Sequence, residues 1–130
     1  MSKRILIIED HADVLESISY LLRASGYEPV AARNGREGLE TAQRERLDLI
    51  LTDLMLPTLS GYEVCTMLKQ DTRYQKIPIM LFTAKVQAKD EQLGKECGAN
   101  AYLRKPFQGK ELVDTVRSLL AGSSVSPTGG

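Results

Sequence analysis

The chain has 130 residues, 17 Lys and Arg against 17 Asp and Glu, and 42% apolar residues. That length closes one domain without a disulfide or a structural metal, and the balanced charge gives no reason to expect nucleic acid or an anionic membrane as a direct partner. No apolar run approaches the length of a membrane span, and Met1-Ser2-Lys3-Arg4 leads straight into a four-residue apolar run, too short for a signal-peptide core. A cytoplasmic protein is expected.

Apolar runs alternate with 3.6-period stretches from end to end, the pattern of an α/β chain with a parallel sheet covered on both faces. The first strand, about 4–9, carries Ile5-Leu6-Ile7-Ile8 into Glu9-Asp10. The first helix, about 12–25, turns Val14, Ile18, Leu21 and Leu22 inward, and Gly26 is placed to end it. The second strand, about 28–32, holds Pro29, which suits a sheet edge. Asn34 then caps a helix over about 35–46.

The third strand, about 48–53, ends at Asp53. Ser60-Gly61-Tyr62-Glu63 has capping-box spacing and opens a helix over about 61–70, with Val64, Met67 and Leu68 inward. The fourth strand, about 77–83, is nearly all apolar and stops at Thr83. A helix over about 87–97 has only Leu93 and Cys97 clearly inward and Gly94 in its middle, so it is the cheapest helix to move. The fifth strand, about 100–104, alternates Ala101 and Leu103 with Tyr102 and Arg104, which predicts one wet face and the second sheet edge. The last helix, about 108–121, aligns Leu112, Val116, Leu119 and Leu120. Residues 1–121 therefore read as the domain, and 122–130 as a disordered tail or a truncated linker.

Cys65 and Cys97 are too far apart for a redox pair of the CxxC kind, and with the single His11 they build no zinc site. Both read as small buried apolar residues.

The chemistry lies at the strand ends. If the strands are parallel, Glu9, Asp10, Asp53, Thr83 and Lys105 share the edge where open α/β sheets place their crevices. Each residue alone has an ordinary reading: Asp53 as a turn former, Glu9-Asp10 as solvated charges, Lys105 as a surface lysine, Thr83 as a strand residue, Tyr102 as edge packing. Together they are three carboxylates that would repel one another and raise one another's pKa values. A hard divalent cation relieves that repulsion, and Mg²⁺ suits a site of few carboxylates, several waters and a phosphate. Asp53 in such a crevice is a metal ligand or a nucleophile that accepts a phosphoryl group. Lys105 is a point charge for a phosphate oxygen, and the following Pro106 can form a cis bond that fixes its direction.

Ile7-Ile8-Glu9-Asp10, Thr52-Asp53-Leu54-Met55-Leu56-Pro57, Leu59-Ser60-Gly61, Leu81-Phe82-Thr83-Ala84 and Tyr102-Leu103-Arg104-Lys105-Pro106-Phe107 resemble the receiver domain of two-component response regulators, chemotaxis regulators among them. The resemblance covers about residues 3–121. It implies a flavodoxin-like, doubly wound, five-stranded parallel sheet of order 2-1-3-4-5 with five helices. It also implies that Asp53 is the phosphoacceptor, that Glu9, Asp10, Asp53 and the backbone carbonyl of Met55 hold Mg²⁺, and that Lys105 and Thr83 contact the phosphoryl group. Tyr102 is then the aromatic switch partner of Thr83. The acidic pair is Glu-Asp here where many members have Asp-Asp.

The expected function is a phosphorylation switch, not an enzyme acting on a separate substrate. A histidine kinase, phosphotransfer protein or small phosphodonor supplies the phosphoryl group. The face of the 87–97 helix, the fifth strand and the last helix controls a downstream effector, in a monomer or weak dimer. A Mg²⁺-dependent phosphohydrolase with an aspartyl nucleophile needs a general acid close behind Asp53, where Leu54 and Met55 stand. A nucleotide-binding domain needs a glycine-rich phosphate loop after the first strand, which is missing. A receiver fragment of a longer DNA-binding regulator reads the same as the main expectation.

Overall fold

The computed structural model describes residues 2–83, 92 and 95–122. Its elements in chain order are β1 (Arg4–Ile8), α1 (Ala12–Ala24), β2 (Glu28–Ala32), α2 (Gly35–Arg44), β3 (Leu49–Asp53), α3 (Gly61–Lys69), β4 (Ile79–Thr83), β5 (Ala101–Arg104) and α4 (Gly109–Leu120). The strands form one sheet of order β2-β1-β3-β4-β5, every neighbouring pair parallel. This is the flavodoxin-like order that the resemblance implied. Most of the helix expected over 87–97, with Leu93 and Gly94, and residues 123–130 of the expected tail lie outside the described residues.

Strand alternation sorts the core into two layers. Leu6, Ile8, Ile50, Ile79 and Leu81 pack with Leu39 and Ala42 of α2 and with Val64, Cys65 and Leu68 of α3. Ile5, Ile7, Leu49, Leu51, Met80 and Phe82 face the other way, onto Ile18 and Leu22 of α1 and Leu112, Val116 and Leu119 of α4. β3 and β4 are buried along their whole length, so both faces must be apolar, and their sequences are continuous rather than alternating. Each such fully buried Ile or Leu contributes about 1.5–3 kcal/mol.

The helix ends follow their local chemistry. Asn34 Oδ1 accepts from Glu37 N at 2.8 Å, and Ser60 and Glu63 form the reciprocal capping box. Gly26 follows α1 with φ +90, a left-handed conformation that a side chain disfavours.

Five side chains depart from the expected pattern. Met67 is 45% exposed, and Cys65 takes the inward place on α3. Val14 and Leu21 of α1, and Leu120 of α4, are only partly buried. Tyr102 does not meet water: it is 6% exposed and packs in the α2/α3 layer. β5 is an edge in hydrogen bonding, but both of its faces are covered as far as Leu103, and only Arg104 is exposed.

Candidate functional site

Register brings the chemistry together. Ile8 pairs with Thr52, Asp53 with Phe82, and Thr83 with Arg104. Glu9, Asp53, Thr83 and Lys105 therefore stand at, or one residue past, the last rungs of four adjacent strands. Glu9 is fully buried, and Asp53 and Thr83 are 5% and 2% exposed. The loop after β3 is held by Leu54 N donating to Phe82 O at 3.3 Å and Gly61 N donating to Leu54 O at 3.0 Å. A Cβ at position 61 would run into the Asp53 carbonyl, so glycine is what lets α3 begin against the strand end that carries Asp53.

Lys105 spans the acids. Its Nζ donates to Glu9 Oε1 at 3.1 Å and to Asp53 Oδ2 at 3.3 Å, and lies 4.9 Å from the centre of the Phe82 ring. Its backbone N–H donates to Thr83 O at 2.8 Å, and the Lys105–Pro106 bond is cis. Asp53 Oδ1 accepts from Met55 N at 3.4 Å, which sets the backbone of Met55 against the cleft while its side chain is exposed.

Burial raises the Glu9 carboxyl to about 7, helped by its hydrogen bond with Asp53 and the Asp53 charge, with Lys105 opposing. Glu9 thus holds its proton more tightly than an ordinary carboxyl does. Glu9 Oε2 also accepts from Asp10 N at 3.1 Å.

Ligand atoms of Glu9, Asp10, His11 and Asp53 all lie within 4.8 Å of one another. Asp10 Oδ1 is buried and accepts no hydrogen bond. An oxygen withdrawn from water without a donor costs about 1–3 kcal/mol, and a cation at this spot removes that cost. Glu9, Asp10 and Asp53 offer hard oxygens, as Mg²⁺ requires. The residues present fit the ion.

Tyr102 is not part of the cleft. It pairs with Leu81, two rungs back from the edge, with its ring inward. Two neighbours of the cleft are absent from the sequence-based set. Arg33, just past the end of β2, donates from Nε and Nη2 to Asp10 O at 3.3 and 2.8 Å. The rule that pointed to the other strand ends also covers Arg33, but a search for acids passes over it. His11 is the second: its Nδ1 lies 3.3 Å from Asp10 Oδ1.

Beside the cleft, a groove of about 530 Å³ runs between α1 and the loop after β5, lined by Val14, Ile18, Leu21, Pro106 and Phe107 and reaching Lys105. Among the described residues no helix is long and apolar enough to cross a membrane.

Residues 5–117 match the family model of the response regulator receiver domain. The alkaline phosphatase synthesis transcriptional regulatory protein PhoP of Bacillus subtilis (strain 168) is 40% identical over 128 residues, covering 97% of this chain. The chain spans about half the length of that relative, 52%. The polar-differentiation response regulator DivK of Brucella anthropi is 38% identical over 120 residues, covering 92% of this chain and 98% of DivK. Among solved structures, the receiver domain of the sensor histidine kinase PA1611 from Pseudomonas aeruginosa PAO1 superposes with a TM-score of 0.86 at 30% identity, over 93% of this chain and 99% of that one. That structure has a magnesium ion coordinated in its active-site cleft.

Proposed function

We propose that this chain, which belongs to the response regulator receiver domain family, takes a phosphoryl group onto Asp53 and signals by the change that follows. The reading rests above all on Lys105, which bridges Glu9 and Asp53 from the far side of the sheet. An ammonium held between two carboxylates is placed to follow charge onto a phosphoryl group once Asp53 carries it.

In the transfer, one Asp53 oxygen attacks phosphorus in line, and the bond from phosphorus to the donor breaks. With a phosphohistidine donor, the electron pair leaves on the imidazole nitrogen. Lys105 and Thr83 would hold two of the equatorial oxygens. Glu9, Asp10, Asp53 and the Met55 carbonyl would hold Mg²⁺, which when bound neutralises charge on the transferred group. Water later cleaves the acyl phosphate and regenerates Asp53, so the chain acts on no separate substrate.

The donor would be a histidine kinase or a phosphotransfer protein in the cytoplasm. The apolar groove along α1 is the surface beside Lys105 where such a partner can dock. Residues 1–121 would be the receiver unit and 122–130 a tail or a truncated linker. The output face would include β5 and α4.

The test is intact mass spectrometry after incubation with acetyl phosphate and Mg²⁺. The parent gains one phosphoryl mass. A full gain in Asp53→Asn would sink the assignment.

A further inference from the structure

β2 brings no ligand of its own to the cleft, yet the turn that follows it touches both loops that carry the proposed cation ligands. Ala32 O accepts from Glu9 N at 3.0 Å, and Arg33 then donates from Nε and Nη2 to Asp10 O at 3.3 and 2.8 Å. The next residues grip the loop after β3. Gly35 N donates to Pro57 O at 3.1 Å, and Arg36 N donates to Thr58 Oγ1 at 2.9 Å. The Thr58 hydroxyl donates in turn to Asn34 Oδ1 at 3.2 Å. Thr58 has φ 70, a left-handed conformation that a β-branched residue adopts only under constraint, and these bonds supply the constraint. Arg33 therefore reaches toward the cleft from a fixed base.

Among the described residues Arg33 forms no ion pair with Glu9, Asp10 or Asp53, whose side-chain nitrogen contacts are with Lys105 and His11. It grips the Asp10 carbonyl instead, while the Asp10 N–H donates to Glu9 Oε2 at 3.1 Å. The Asp10 backbone is thus held at both ends, and its buried Oδ1 accepts no hydrogen bond. We infer that Arg33 is a positioning residue for the cation site: it fixes the Asp10 backbone and leaves the carboxylate open to the ion. The inference rests on the reading that this cleft holds Mg²⁺. Mg²⁺ demands near-ideal geometry, so a loosened ligand costs affinity. A positive charge near the site, by contrast, opposes a second cation. The two effects of Arg33 have opposite signs, and its removal shows which one prevails.

The test is Mg²⁺ titration of the whole chain, followed by amide shifts, in the parent, Arg33→Leu and Arg33→Lys. Arg33 is exposed, so neither change should unfold the protein. In Arg33→Leu, Mg²⁺ affinity should fall about tenfold, as when the hydrogen-bonding partner of a metal ligand is removed. Arg33→Lys keeps the charge and one donor and should recover part of the loss. The His11 N–H shares a peptide with the Asp10 carbonyl, so its shift in chelator should differ between the parent and Arg33→Leu. Unchanged or tighter Mg²⁺ binding in Arg33→Leu overturns the inference and leaves Mg²⁺ binding by the parent standing. An unmoved His11 amide overturns it as well, since the Asp10 carbonyl was then not held. A parent in which Mg²⁺ shifts none of the amides of residues 9–11 and 53–55 removes the cleft reading, and the inference with it.

Discussion

Lys105 Nζ stands 3.3 Å from Asp53 Oδ2, although 52 residues separate the two in sequence. The contact exists because β3 and β5 flank β4, with Asp53 on one side and Lys105 just past the end on the other. The ammonium lies against two of the carboxylates that would hold a divalent cation.

That relationship predicts competition. Lys105→Met removes a positive charge from the edge of the cation site, so Mg²⁺ should bind more tightly, by about 1 kcal/mol or roughly fivefold. Phosphoryl transfer to Asp53 should slow in the same variant, because the proposed donor to the transferred group is gone. Calorimetric Mg²⁺ titration and a time course with acetyl phosphate separate the two effects. Weaker Mg²⁺ binding would contradict the competition.

The Glu9 carboxyl predicts a pH dependence of stability in chelator. Its pKa rises from 4.5 to about 7 on folding, chiefly through burial. Between those values the folded state holds more protons than the unfolded state, so stability falls as pH rises through this window. The contribution is fully present below about 4.5 and lost above about 7. Glu9→Gln, which stays neutral, should flatten that part of the profile. Urea denaturation at a series of pH values measures it, and an unchanged slope in Glu9→Gln would rule Glu9 out as the source.

Asp53, Glu9, Asp10, Thr83 and Lys105 were legible in the sequence because each follows an apolar run, and a parallel sheet carries the ends of such runs to one edge. Tyr102 was not. A four-residue alternation shows that Tyr102 and Leu103 face opposite ways, but not that a layer built from α2 and α3 extends over the Tyr102 face. Cys65 and Met67 lie on opposite flanks of the face set by Val64 and Leu68, about equally far from its centre, and the packing against β3 and β4 decides which turns inward. Arg33 and His11 acquire meaning only from the three-dimensional position of Asp10, to whose carbonyl and carboxylate they point.

Gly61 gives a prediction that joins stability to the site. A Cβ there would meet the Asp53 carbonyl carbon and the Leu54 Cα as well as the carbonyl oxygen, all backbone atoms that cannot step aside cheaply. Gly61→Ala should cost about 1–3 kcal/mol, the usual range for overpacking a filled site. It should also slow phosphorylation, because the displaced atoms belong to Asp53, the proposed phosphoacceptor. Thermal denaturation and the acetyl phosphate time course report the two. A stable variant of normal rate would mean that the loop relaxes freely.

The last prediction concerns the response to phosphate. Thr83 is 2% exposed at the end of β4, and its carbonyl accepts the backbone N–H of Lys105 at 2.8 Å. A phosphoryl group on Asp53 adds about two negative charges and strong acceptors, so a move of Thr83 toward it would pull on the start of the Lys105 loop. The Tyr102 ring is buried, 6% exposed. Both inward and outward states should exist before phosphorylation, with the phosphate biasing their balance by its differential contacts. Thr83→Ala should still accept the phosphoryl group at Asp53, yet transmit little to β5. Hydrogen exchange over residues 95–104, with and without beryllofluoride as a phosphoryl mimic, measures the transmission. Strong added protection is expected in the parent and little in the variant, and equal protection in both would show that Thr83 does not carry the signal.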